Sequence, residues 1–265
     1  MKLNKDHLEK LYTGKTKDVY HYRDGEILLY TKDETTGWWK TDAQGEKYFE
    51  EDPGGNQVGP AVAGMGRKNL IASAYYFKKF HEAAIPNHFI GCAVDENLMH
   101  VKSGEIFGKG FEAIIRFHAM GSLLRRYPDR YQEGEPVADF FETTLKSDAD
   151  NDPPITKEQL AEQNILTEAQ YEQMKRICRD AANVIQSDLK EEDLILVDLK
   201  FELGLIDGRM VLIDEVSSGV MRVARGRVTA ADILSEAELA DILVTRANRA
   251  KLVDALLTNQ DHCCV

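Results

Sequence analysis

The stretch from Leu194 to Arg222 constrains this chain most. Val197, Leu199, Phe201 and Leu203 alternate with Asp198, Lys200 and Glu202. That period of two gives a strand one apolar face and one charged row. Asp207-Gly208 follows, then a second apolar run that closes on Asp214-Glu215. Asp-Gly between two such runs predicts a hairpin. The charged row fits two uses. It can face water as the outer side of a half-buried sheet. Alternatively, its carboxylates and lysine can hold Mg²⁺ and nucleotide phosphates, because hard cations take carboxylate oxygens. A two-residue turn pairs Lys200 with Glu215 and puts Asp214 on the face opposite Glu202. Bringing those two carboxylates together therefore predicts a bulge or a longer loop.

The chain has 265 residues, enough for one large domain or two lobes with a sizeable core. Its net charge of −12 argues against sequence-independent binding to nucleic-acid phosphates. A local basic pocket for a small phosphorylated ligand is still compatible with that balance. No apolar run approaches the ~20 residues that span a bilayer, and the start, Met1 to His7, has no signal-peptide pattern. Cys92, Cys178, Cys263 and Cys264 form neither a metal-ligand spacing nor a disulfide framework, so a reduced cytoplasm is expected. His262-Cys263-Cys264-Val265 is not a prenylation box and reads as a frayed tail. Self-association into a homo-oligomer stays open.

The first half reads as β-rich, with strands over 12–22 and 26–31 flanking Asp24-Gly25. Residues 37–66, polar and rich in glycine, read as a long loop. A helix is predicted over 69–83, with Leu70, Ala74, Phe77 and Phe80 on one face. Short strands follow near 88–92, 99–102 and 112–117. The second half reads as more helical. Thr156–Gln159, Thr167–Gln170 and Ser235–Glu238 are capping boxes that mark helix starts. Tyr171, Met174, Cys178, Ala181 and Ile185 make a core stripe, and Leu239 to Leu256 suggests a last helical region.

Two further groups can carry chemistry. Gly14-Lys15-Thr16-Lys17 lies in a first hairpin; glycine admits a phosphate close to the backbone and lysine adds a mobile charge, though the same residues make a solvated turn. Arg116, Ser122, Arg125 and Arg126 surround Ala119-Met120-Gly121. Arginine forks, a hydroxyl and a helix start suit a phosphate monoester, and equally suit an exposed basic helix start. Residues 146–153 are acidic and turn-prone, fit for a plain loop or for ordering a cation or amine.

Taken in order, these pieces resemble the SAICAR synthase (phosphoribosylaminoimidazole-succinocarboxamide synthase) family. The similar segments are Leu11 to Tyr20, Ala84-Ile85-Pro86-Asn87-His88-Phe89, Glu112 to Arg116 with Ala119 to Ser122, Lys146 to Pro153, Val197 to Gly204, and Asp214-Glu215 with Arg222. They run through nearly the whole chain. The resemblance implies an α+β fold of two lobes, 1–111 binding ATP and 112–265 binding substrate. It implies an ATP-dependent ligase of purine biosynthesis that joins L-aspartate to carboxyaminoimidazole ribonucleotide, giving SAICAR, ADP and phosphate. A ligase with another amine or carboxylate, or a small-molecule phosphotransferase, is the alternative.

The resemblance also implies roles. Gly14, Lys15 and Lys17 would meet ATP phosphates, and Glu112 would lie on the segment that meets adenine. Lys200 would reach the nucleotide. Glu202 and Asp214 would hold Mg²⁺. Arg116, Ser122 and Arg222 would hold the ribonucleotide phosphate. Lys146 and Asp152 would line the cleft as catalytic groups. Two departures stand out. Gly219 replaces a usual aspartate, which predicts a missing cleft carboxylate offset by a contact from elsewhere. Trp38-Trp39 replaces a usually acidic stretch.

Overall fold

A computed structural model describes residues 3–147, 150 and 152–251. Strands β1 (Lys10–Thr13), β2 (Lys17–Arg23), β3 (Glu26–Thr31), β7 (Phe89–Ala93) and β8 (Leu98–Lys102) form a sheet in the order β1-β2-β3-β8-β7. The expected single strand over 12–22 is two strands. They are separated by a turn in which Gly14 donates its N–H to the carbonyl of Lys17 at 2.7 Å.

The loop expected over 37–66 is instead largely a three-stranded sheet. Its strands β4 (Glu34–Thr41), β5 (Lys47–Glu51) and β6 (Gln57–Ala61) lie in the order β5-β4-β6. Glycines that read as loop signals are close-packing positions here. A Cβ on Gly37 would lie 2.1 Å from the Glu50 carbonyl oxygen, and one on Gly55 would lie 2.3 Å from the Gly37 Cα.

Helix α1 (Met65–Glu82) begins before the predicted 69. Its first N–H groups need acceptors, and a distant residue supplies them: Asp33 accepts from Gly64 at 3.0 Å and Gly66 at 2.9 Å. A local reading cannot see such a cap. The stripe Leu70, Ala74, Phe77 and Phe80 is buried as expected.

Strand β9 (Glu105–Ile106), β10 (Phe111–His118), β11 (Pro136–Leu145), β12 (Leu194–Ile206), β13 (Arg209–Ile213) and β14 (Met221–Arg225) make a second sheet. Its spine is β12, which pairs with β10 and β14 along its first half and with β13 and β9 along its second. Between them come α2 (Ser122–Arg126), α3 (Lys157–Glu162) and α4 (Glu168–Lys190), and α5 (Glu236–Arg249) follows. All three expected capping boxes are formed, at Thr156, Thr167 and Ser235. Met174, Cys178, Ala181 and Ile185 are fully buried, and α4 packs on β12 and β13. The expected helical residues Leu252 and Leu256, and the tail at Cys263-Cys264, lie outside the described residues. Among the described residues no helix is long and apolar enough to cross a membrane.

Candidate active site

The period of two in β12 becomes a functional face because its neighbours keep the same register. Arg116 pairs with Asp198, Asp198 with Arg222, Ile114 with Lys200, and Glu112 with Thr144. Paired residues point the same way from a sheet. One face therefore carries Arg116, Asp198, Arg222, Lys200, Glu112, Glu142 and Glu202. The opposite face, with Phe201, Leu199 and Ala113, is buried in the core.

A cleft of about 250 Å³ opens over this charged face. Its lining includes Glu112, Arg116, Ser122, Asp152, Lys200 and Arg222. Six of the sequence-predicted site residues thus share one cavity.

Gly14, Lys15, Lys17, Lys146, Glu202 and Asp214 do not line this cleft; Lys17, Lys146, Glu202 and Asp214 belong to a lysine–carboxylate group coupled to it through Lys200. The hairpin closes by the simple two-residue turn, Ile206 opposite Arg209 and Glu202 opposite Ile213. The bulge or longer loop expected for bringing Glu202 and Asp214 together is not there. The strand ends at Ile213 instead, and Asp214 adopts φ +67°. That left-handed step breaks the alternation and turns the Asp214 carboxylate back toward Glu202. The segment Ala84 to Phe89 holds this step in place. His88 donates its backbone N–H to the Leu212 carbonyl at 3.0 Å, and His88 Nε2 lies 3.1 Å from the Asp214 carbonyl. Burial pushes the His88 pKa down to about 4, so a neutral ring donates to that carbonyl.

The turn at Gly14 and Lys15 delivers Lys17, the first residue of β2. Lys17 Nζ lies 3.0 Å from Asp214 and also binds Glu215. Lys146 Nζ is 2.5 Å from Glu202, and Lys200 Nζ is 3.2 Å from Glu112. Burial first, and then the charge of Asp214, push the Glu202 pKa up to about 6. Burial also disfavours the Asp214 charge, but Lys17 and Lys146 outweigh it and hold that pKa below its usual value. Among the described residues no three His, Cys, Asp or Glu side chains gather as a closed metal cage. Mg²⁺ asks for less: one or two carboxylates, with phosphate oxygens and waters completing its shell. Two half-buried carboxylates, with Asp214 raising the cost of ionising Glu202, fit that demand.

Within the cleft arginines meet carboxylates. Arg116 is 2% exposed and donates to Asp198 at 2.7 Å, to Glu142 at 2.7 and 2.8 Å, and to the Ser122 hydroxyl at 2.8 Å. Arg222 Nη1 binds both oxygens of Asp198 at 2.7 and 2.9 Å. Arg126 also binds Glu142. Helix α2, expected to offer its N-terminus to a phosphate, has only five residues, so side chains and not a helix dipole dominate here. Asp152 has φ +48° and accepts the Ser147 N–H at 2.8 Å, closing the turn at the cleft's edge.

Sequence reasoning missed Glu142 because β11 was not predicted. It missed Asp52, whose partner lies 170 residues away. It quoted Asp198 in the charged row without assigning it. A carboxylate does stand beside Gly219: a Cβ there would lie 3.1 Å from Oε1 of Glu236, at the start of α5. Asn69 donates to that oxygen at 2.9 Å, and burial pushes the Glu236 pKa up to about 7.

Fold and cleft together define an α+β protein with a polar cleft sized for small molecules. The model of the SAICAR synthetase family matches residues 55–232. A phosphoribosylaminoimidazole-succinocarboxamide synthase from Clostridium tetani is 39% identical over 214 residues, covering 80% of this chain and 90% of that protein. A SAICAR synthetase solved in complex with ADP superposes with a TM-score of 0.71 at 25% identity, covering 92% of this chain and 93% of the other. The phosphoribosylaminoimidazole-succinocarboxamide synthase of Ehrlichia chaffeensis shares the fold with a TM-score of 0.72 at 23% identity, covering 94% of this chain and 98% of the other. The chain belongs to the SAICAR synthetase family.

Proposed function

We propose that the chain uses ATP to join L-aspartate to carboxyaminoimidazole ribonucleotide, giving SAICAR, ADP and phosphate. One observation carries this reading: a cleft with an arginine–hydroxyl end suited to a phosphate monoester reaches Lys200 and Glu112, and Lys200 is in turn coupled electrostatically to Glu202 and Lys146, part of a lysine–carboxylate group suited to Mg²⁺ and triphosphate. Net charge of −12 supports small-molecule partners over nucleic acid.

In this reading residues 1–111 form the nucleotide lobe and 112–265 the substrate lobe. Lys15 and Lys17, delivered by the Gly14 turn, meet the ATP phosphates, and Glu112 lies by the adenine segment. Glu202 and Asp214 would hold Mg²⁺, which supplies charge neutralisation to the triphosphate when bound. Arg116, Ser122 and Arg222 hold the ribonucleotide phosphate. The ribonucleotide carboxylate takes the γ-phosphoryl group and ADP leaves. The aspartate amine then attacks the acyl carbon, its C–N bond forms as the C–O bond to phosphate breaks, and the amine proton leaves to a base. Lys146, Lys200 and Asp152 line this path and stabilise charge by position, which is the main help phosphoryl transfer needs.

Gly219 favours a second reading in which another amine is the acceptor, because a carboxylate is lost there. Glu236 supports L-aspartate, because it holds a carboxylate beside that position. Phosphate release is measured with ATP, Mg²⁺, the carboxylated ribonucleotide and each amino acid in turn. Release with L-aspartate alone is expected. Release with a different amino acid and none with L-aspartate moves the chain to the second reading, and a phosphoester product would remove the ligase reading.

A further inference from the structure

Asp52 sits on the loop between β5 and β6, ahead of the residues that the family model matches. Its carboxylate nevertheless crosses to the arginine end of the cleft and binds Arg222. Trp38 Nε1 donates to Asp52 at 3.1 Å, and the Gly54 N–H donates at 2.8 Å. Trp38, Pro53, Gly54 and Asn56 line the same cleft. Both partners of the ion pair are only 12% exposed.

The donor that Asp52 takes matters. Asp198 engages Arg222 through Nη1 alone, so Nη2 is the donor left facing a ligand, and Asp52 holds it. Charge points the same way. Arg116, Arg126 and Arg222 are matched by Asp52, Glu142 and Asp198, which leaves Arg125 as the one positive charge in excess on this end's lining. A phosphate monoester brings roughly −1.5 to −2 charges at neutral pH. With Asp52 in place, that anion would meet a carboxylate on its own arginine. With Asp52 displaced, it gains the charged Nη2 donor of Arg222.

We propose that Asp52 determines specificity: its carboxylate stands in for the phosphate at Arg222 and yields only to a ligand carrying a dianionic phosphate. A neutral sugar or an amide has no charge with which to displace it and leaves the β5–β6 loop closed on the cleft. The inference rests on reading the arginine end as the phosphate site. The chain supplies its own probe, because both of its tryptophans, Trp38 and Trp39, lie on β4 beside this contact.

Ribose 5-phosphate and ribose are titrated into the full chain, following heat and tryptophan emission, for wild type, Asp52→Asn, Asp52→Ala and Arg222→Ala. Ribose 5-phosphate should bind and shift the emission of wild type, and ribose should do neither. Both Asp52 variants should bind ribose 5-phosphate roughly tenfold tighter. Unchanged, weaker or undetectable binding in both Asp52 variants overturns the proposal, since Asp52 would then be a prop for Arg222. Undiminished affinity in Arg222→Ala sinks the phosphate-site reading instead. Lost binding in Arg222→Ala with no tightening in the Asp52 variants leaves that site standing and removes only the role of Asp52.

Discussion

The arginine end of the cleft and the lysine group coupled to it solve one problem, holding anions, with different cations. The lysine end uses Lys17, Lys146 and Lys200, each resting on a carboxylate. The other end uses Arg116, Arg126 and Arg222, held by Glu142 and Asp198, with Asp52 on the remaining Nη2 of Arg222. Lysine is a mobile point charge, whereas the guanidinium is a planar, pre-shaped donor set. The lysine end is built to rearrange as ligands arrive. The arginine end is built as a lattice, with buried partners that depend on one another. Substitution at the first should cost function alone, whereas at the second only the buried Arg116 should also cost stability.

The largest effect expected is at the lysine end. Asp214→Ala should lower turnover by about 10³, the scale for removing a group that offsets transition-state charge. Thermal stability should barely change, since Lys17 keeps Glu215. Unchanged phosphate release would break the metal assignment. Arg116→Met probes the lattice. It takes one partner each from Asp198 and Glu142, which keep Arg222 and Arg126, and should cost up to about 3 kcal/mol of stability in denaturant melts. A stable but inactive variant would erase the contrast between the ends.

Arg222→Lys separates the two substrates. Lysine keeps charge but not the fork, so KM for the ribonucleotide should rise roughly tenfold, while KM for ATP holds. Equal effects on both would point to a folding role. The smallest effect is in pH. With no metal bound, burial pushes the Glu202 pKa up to about 6, so protons should compete with Mg²⁺ below that pH and the Mg²⁺ needed for half-maximal turnover should rise as pH falls. The stability sign is the reverse. Glu202 has its folded pKa raised from 4.5, so its contribution is fully present below 4.5 and is lost as pH rises through about 6. Glu202→Gln should therefore melt no lower than wild type at pH 8 while losing turnover. A lower melting temperature there would break the view of Glu202 as a costly, functional charge.

Local physics made much of this legible. Alternation from Val197 to Leu203 marked both the core face and the functional face of β12, and Asp207-Gly208 specified the hairpin turn and its register. Thr156, Thr167 and Ser235 announced their helices because a capping box is complete within four residues. Motif order was enough for the family and for the candidate residues on the cleft. Tertiary structure decided what depends on partners far along the chain. Residues 37–66 became strands because their ladders close across one another, while their glycines read locally as loop. Met65 became a helix start because Asp33 caps it. Asp214 meets Glu202 because its backbone turns left-handed under a bond from His88, 126 residues away. Asp52 meets Arg222 for no reason visible in either segment alone. Period and turn chemistry act over a few residues and leave a mark there; burial, charge pairing and remote caps act only once the chain has folded.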